Sequence, residues 1–166
     1  MNSSFVIILL SFAILIAYVV YSLVTLKVMP ESLSETYYRL NYKKKGLGRL
    51  FPITMFICAA TLLPIWLDYS KDNFQWLVFL ACSATLFVAV TPNYYEGLER
   101  QVHYGAAVVC CVSAILWTML SGTWFIPIIN LALALGYMVM YNRKKQIVFL
   151  IEIATLFSVY ISLLLQ

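Results

Sequence analysis

Phe5-Val6-Ile7-Ile8-Leu9-Leu10-Ser11-Phe12-Ala13-Ile14-Leu15-Ile16-Ala17-Tyr18-Val19-Val20-Tyr21-Ser22-Leu23-Val24-Thr25-Leu26 carries no charged side chain, and its reading decides the fold. A hydrocarbon core about 30 Å thick needs roughly 20 apolar residues of helix at about 1.5 Å each. This run meets the requirement. A cleavable leader would have a basic segment ahead of a shorter apolar core. No basic residue precedes Phe5, so the run is expected to remain as an anchor.

The same pattern recurs along the chain. Of the 166 residues, 63% are hydrophobic and 11% charged, and the mean hydropathy is +0.90, outside the range of ordinary soluble domains. Further apolar runs extend from Leu50 to Leu67, Phe74 to Val90, Val102 to Leu120, Trp124 to Tyr141 and Ile147 to Leu165. They predict an all-α polytopic membrane protein, a single transmembrane domain over residues 1–166 with six helices in one bundle. The third and fifth runs are short and are expected to meet a locally thinned bilayer or to extend into their loops. Tight connections after the second, fourth and fifth runs predict antiparallel neighbours.

Charge sets the expected orientation. Lys27, Arg39, Lys43, Lys44, Lys45 and Arg49 fall in the first loop, Arg100 in the third, and Arg143, Lys144 and Lys145 in the fifth, with Lys71 alone opposite. By the positive-inside rule the odd-numbered loops are cytoplasmic and both termini outside, as in a bacterial inner membrane or its equivalent. Trp66, Trp76, Trp117 and Trp124 then mark span ends at the outer interface. The net charge of +4 belongs to short loops, where it serves topology and lipid headgroups rather than nucleic acid.

Ser32-Leu33-Ser34-Glu35 has capping-box spacing, with Ser32 as N-cap and Glu35 reaching back. It predicts a short interfacial helix in the first loop. Leu33, Tyr37 and Leu40 share one face of it, while Ser34, Glu35, Arg39 and Asn41 line the other.

The polar groups able to carry chemistry are few. Tyr94 to Ala106 gathers Tyr95, Glu96, Glu99, Tyr104 and the single histidine, His103. If the fourth span extends back through this loop, Glu96, Glu99 and His103 share a face. Glu152 lies well inside the last run, and Thr155, Ser158 and Ser162 continue a polar stripe from it. A carboxylate at that depth faces the bundle interior and needs a partner: a ligand, proton or ion, or else a snorkelling lysine or a histidine. The candidate ligand-binding set is therefore His103, Glu152, Glu99, Glu96, Ser34, Glu35, Tyr38 and Tyr95, at the cytoplasmic end.

No Walker loop, GxSxG elbow, dinucleotide glycine pattern or HExxH pair occurs, and no cofactor is implied. Cys58, Cys82, Cys110 and Cys111 all fall inside apolar runs and read as small packing residues. Ala106, Cys110 and Ala114 form a small stripe on the fourth span, and Ala132 and Gly136 another on the fifth. Both read as internal packing.

Leu33-Ser34-Glu35-Thr36 after the first span, and His103-Tyr104-Gly105-Ala106 opening the fourth, resemble the I-S-[DE]-T and H-x-x-G-A signatures of the six-helix family that includes the DRAM autophagy modulators and related lipid-remodelling proteins. The order of elements is similar too. Tyr37 stands where that family has a glycine, and the histidine-to-glycine spacing is one residue shorter. The family's first loop is usually non-cytoplasmic, whereas the lysines here place it inside. The resemblance implies lipid handling.

The expected function is thus non-enzymatic: binding of a membrane lipid, a small amphiphile or a membrane partner protein in a polar pocket near His103 and Glu152. The alternatives are a membrane-embedded, metal-assisted lipid hydrolase or transferase using His103, Glu99 and Glu152, with His103 and Glu99 as metal ligands, and a small proton or solute carrier.

Overall fold

A computed structural model describes residues 3–70, 73–91 and 97–166. Among these, regular structure is entirely helical: α1 (Ser3–Leu26), α2 (Glu35–Lys43), α3 (Leu50–Tyr69), α4 (Gln75–Val90), α5 (Gly97–Thr118), α6 (Phe125–Met140) and α7 (Ile147–Leu164). Four stretches are long and apolar enough to cross a membrane, namely Ser3–Leu26, Leu47–Tyr69, Gly97–Thr123 and Lys144–Leu164. At about 1.5 Å per residue, the 24 residues of α1 reach about 36 Å. The 16-residue helices α4 and α6 are equally apolar but reach only about 24 Å each.

The helices α1, α3, α4, α5 and α7 form a closed ring, each packed on the next, while α6 leans on α7 from outside. At mid-height the ring is tied by hydroxyls. Thr61 donates to Ser11 Oγ at 2.9 Å, and Ser11 shares a 2.7 Å hydrogen bond with the Tyr160 hydroxyl. Phe12 stacks on the Tyr160 ring at 4.7 Å. Buried hydroxyls in an apolar medium must be paired, so these bonds fix the relative height of α1, α3 and α7.

The tight connection between α5 and α6 does not produce the expected close antiparallel pair. A five-residue π-turn, Met119–Thr123, contains Gly122 at φ 90°. This left-handed conformation suits glycine. The turn sends α6 away from α5, and α6 packs mainly on α7. Asn130 donates to Ser158 Oγ at 2.9 Å, and Thr123 donates to Ser162 Oγ at 2.8 Å. Thr155, Ser158 and Ser162 all point inward.

Two expectations about side-chain placement are corrected. Trp76 and Trp124 are exposed, at 60% and 57%, but Trp66 and Trp117 are buried. The latter two meet edge to face at 5.2 Å, and Trp117 Nε1 donates to Ser70 Oγ at 2.7 Å. Only two of the four tryptophans are thus exposed; the other pair packs the core at the same end.

The second correction concerns α2, whose inward face is Leu33, Ser34, Thr36 and Leu40, with Tyr37 only half-buried. Thr36 turns inward because its hydroxyl bonds the Tyr18 hydroxyl of α1, which carries Ser34 into the interior. Gly48 closes the other end of α2 by lying directly against the Tyr37 carbonyl, where a Cβ would collide.

Candidate functional site

The first loop and the start of α7 cap each other. The first N–H groups of any helix lack intrahelical acceptors. At α7 the Phe149 N–H donates to the Glu31 carbonyl at 3.0 Å. In return, the Leu33 N–H, two residues before α2, donates to Glu152 Oε2 at 2.6 Å. The capping box itself is half realised. The Glu35 N–H donates to Ser32 Oγ at 3.2 Å, but the Glu35 carboxylate reaches one residue further back, to the Glu31 N–H at 2.5 Å. Glu35 also pairs with Arg39 at 2.9 Å, so its charge is spent outside the bundle.

Glu152 therefore has a backbone N–H as its partner among the described residues, rather than the lysine or histidine that was one of the alternatives expected for it. Its second oxygen, Oε1, has no partner among the described residues. Glu152 borders two spaces. The smaller, about 50 Å³, lies inside the ring and is lined by Thr85, Cys110, Cys111, Glu152 and Thr155 among others. The buried Thr155 hydroxyl has no nitrogen or oxygen partner. The larger is a groove of about 400 Å³ between α5 and α7, closed at one end by the first loop.

That groove brings His103, Glu152, Ser34 and Ser32 around one volume. Tyr104, Ala107, Val108, Cys111, Val112 and Ile115 of α5 and Val148 and Ile151 of α7 complete the lining. His103 is buried, and its Nδ1 lies 2.8 Å from the Thr91 carbonyl that ends α4. A carbonyl can only accept, so Nδ1 carries a proton, and in the neutral ring Nε2 is an acceptor. The Ser32 and Ser34 hydroxyls are 3.2 Å apart. The groove thus has one polar end and a long apolar wall.

Among the described residues, the candidates Glu99, Glu35 and Tyr38 do not join it. Glu99 is exposed on the first turn of α5. Glu35 is engaged with Arg39 and the Glu31 N–H. Tyr38 is half-buried against Tyr37, with ring centroids 5.3 Å apart, and lines neither space. Glu96 and Tyr95 lie outside the described residues. Among the described residues no cluster of three His, Cys, Asp or Glu side chains is placed to hold a metal ion.

Sequence reasoning missed Leu33, Thr91 and Ser32 as contributors. The first two act through backbone atoms, which leave no mark in residue identity. Ser32 was legible only as a cap. Comparison with protein-family models, curated proteins and solved structures finds no match for this chain.

Proposed function

We propose that this chain is a six-crossing integral membrane protein that binds a lipid or another amphiphile, without catalysis, in the α5–α7 groove at its cytoplasmic end. One observation carries the reading: His103, Glu152, Ser32 and Ser34 converge at the end of a groove of about 400 Å³ whose walls are otherwise mostly aliphatic. Ligand pockets commonly combine a few convergent polar groups with an apolar lining. The resemblance to lipid-remodelling six-helix proteins points the same way.

Six crossings require α4 and α6 to span despite their length. Flanking aromatic residues support this, because Phe74 adjoins α4 and Trp124 and Tyr141 adjoin α6, and short spans are tolerated by local thinning. Alternating crossings put ten of the eleven cations at the end that holds the groove, which makes that end cytoplasmic.

Native mass spectrometry of the purified protein tests the function. A copurified amphiphile that is lost when Val112→Trp fills the groove is the expected result. An empty protein, or an adduct indifferent to that substitution, sinks the reading.

A further inference from the structure

We propose that the α5–α7 groove selects single-chain amphiphiles whose headgroup donates hydrogen bonds, a hydroxyl or an ammonium, and disfavours those that end in an anion. This rests on the groove being an amphiphile site and adds the chemistry of what enters it.

The polar end of the groove sets carboxyl and imidazole groups beside a few hydroxyls, those of Ser32, Ser34 and Tyr104, and holds no lysine or arginine. Glu152 Oε2 is engaged by the Leu33 N–H, which leaves Oε1 unengaged on a side chain that borders both the groove and the inner cavity. The Nδ1 proton of His103 is directed to the Thr91 carbonyl and away from any ligand. The Ser32 and Ser34 hydroxyls contact each other, Ser32 Oγ also accepts the Glu35 N–H, and the pair retains both lone pairs and one proton. A ligand hydroxyl or ammonium would meet acceptors, and with the carboxylate it would form a charge-assisted bond.

A carboxylate or phosphate headgroup would face the acidic Glu152 side chain with no lysine or arginine lining the groove to offset its charge when ionised. Like charges at short range, away from bulk water, repel strongly. The cations at the same end lie outside the lining: Lys43, Lys44, Lys45, Arg143, Lys144 and Lys145 are exposed, and Arg100 sits over the ring of the lining residue Tyr104, 5.7 Å from its centroid. Their field acts on bilayer headgroups.

A single chain fits better than two. The apolar wall is one strip between two helices, with Val108, Val112 and Ile115 on one side and Val148 and Ile151 on the other. Because α6 diverges from α5, the strip is not covered by α6, none of whose residues line it. A chain can enter sideways from the bilayer.

The experiment uses three probes with the same tail: oleylamine, monooleoylglycerol and oleate. Each is titrated against the full chain in phosphatidylcholine nanodiscs, with Val112→Trp nanodiscs as the reference for simple partitioning. The amine and the glycerol ester are expected to bind the wild type at least about tenfold more tightly than oleate, a difference of about 1.4 kcal/mol, and the excess should vanish in Val112→Trp. Glu152→Gln should lower amine affinity while sparing monooleoylglycerol, since the amide oxygen still accepts.

Oleate binding as tightly as the amine overturns the headgroup inference and leaves the groove standing. Binding of all three probes unaltered by Val112→Trp overturns the groove itself. If Glu152→Gln fails to fold, the wild-type ranking of the three probes still decides.

Discussion

Glu152 Oε2 accepts the backbone N–H of Leu33 at 2.6 Å, joining α7 to the first loop across 119 positions of sequence. The same carboxylate borders both the groove and the inner cavity. One side chain therefore holds the wall of the candidate site and presents an oxygen to it. Architecture and binding can be separated by substitution, because only one oxygen is engaged.

Glu152→Ala removes the acceptor and leaves the Leu33 N–H unpaired. Loss of a partner for a buried donor costs about 1–3 kcal/mol, so this variant should melt well below the wild type in detergent. Glu152→Gln keeps an acceptor and should lose less than half as much. Equal melting temperatures for the two variants would show that the Leu33 bond contributes nothing.

The His103 bond to Thr91 pins the start of α5 to the end of α4. His103→Ala should speed hydrogen exchange in the last turn of α4, from Phe87 to Thr91, whereas His103→Asn, which retains a donor near Nδ1, should restore protection. Unchanged exchange in His103→Ala would remove this junction from the account.

Glycine substitutions distinguish close approach from open space. At Gly48 an added Cβ would collide with the Tyr37 carbonyl and sit 3.0 Å from Asn41 Cβ, so Gly48→Ala should destabilise by about 1–3 kcal/mol, as overpacking does. At Gly136 nothing lies within 4 Å, and Gly136→Ala should be neutral or stabilise α6 by up to about 1 kcal/mol through helix propensity. Thermal denaturation of both variants checks the contrast.

The Ser11 and Tyr160 hydroxyls share a 2.7 Å bond. A double-mutant cycle with Ser11→Ala and Tyr160→Phe should return a coupling of about 0.6 kcal/mol, the average for interhelical hydrogen bonds in membranes. Zero coupling would assign the α1–α7 contact to the Phe12–Tyr160 stacking alone.

Six crossings predict alternating accessibility. In a background with the four native cysteines replaced, a cysteine at Tyr42 or Arg143 should react only with reagent on the cytoplasmic side, and one at Trp124 only from outside. Both Tyr42 and Trp124 are exposed. Labelling of Tyr42→Cys and Trp124→Cys from the same side would reduce the number of crossings.

Composition and local pattern by themselves determined that the chain is helical and apolar, and where each helix runs. Uncharged stretches such as Phe5 to Leu26 need no tertiary information, because the cost of placing residues in hydrocarbon is summed along the segment. The first-loop helix was equally legible, since Ser32 and Glu35 act on backbone groups within a turn of themselves. The inward stripe of Thr155 and Ser158 on α7 followed from helical period.

Tertiary structure alone decided what Glu152 bonds and what it faces. Its partner is a main-chain N–H whose availability depends on the docking of α2, which in turn depends on the Tyr18–Thr36 contact. The burial of Trp66 and Trp117, the splay of α6 after Gly122 and the groove left beside α5 are likewise products of helix packing angles. Hydrophobic period says which face of a helix turns inward. It does not say which neighbour that face meets, and the site is made where those neighbours meet.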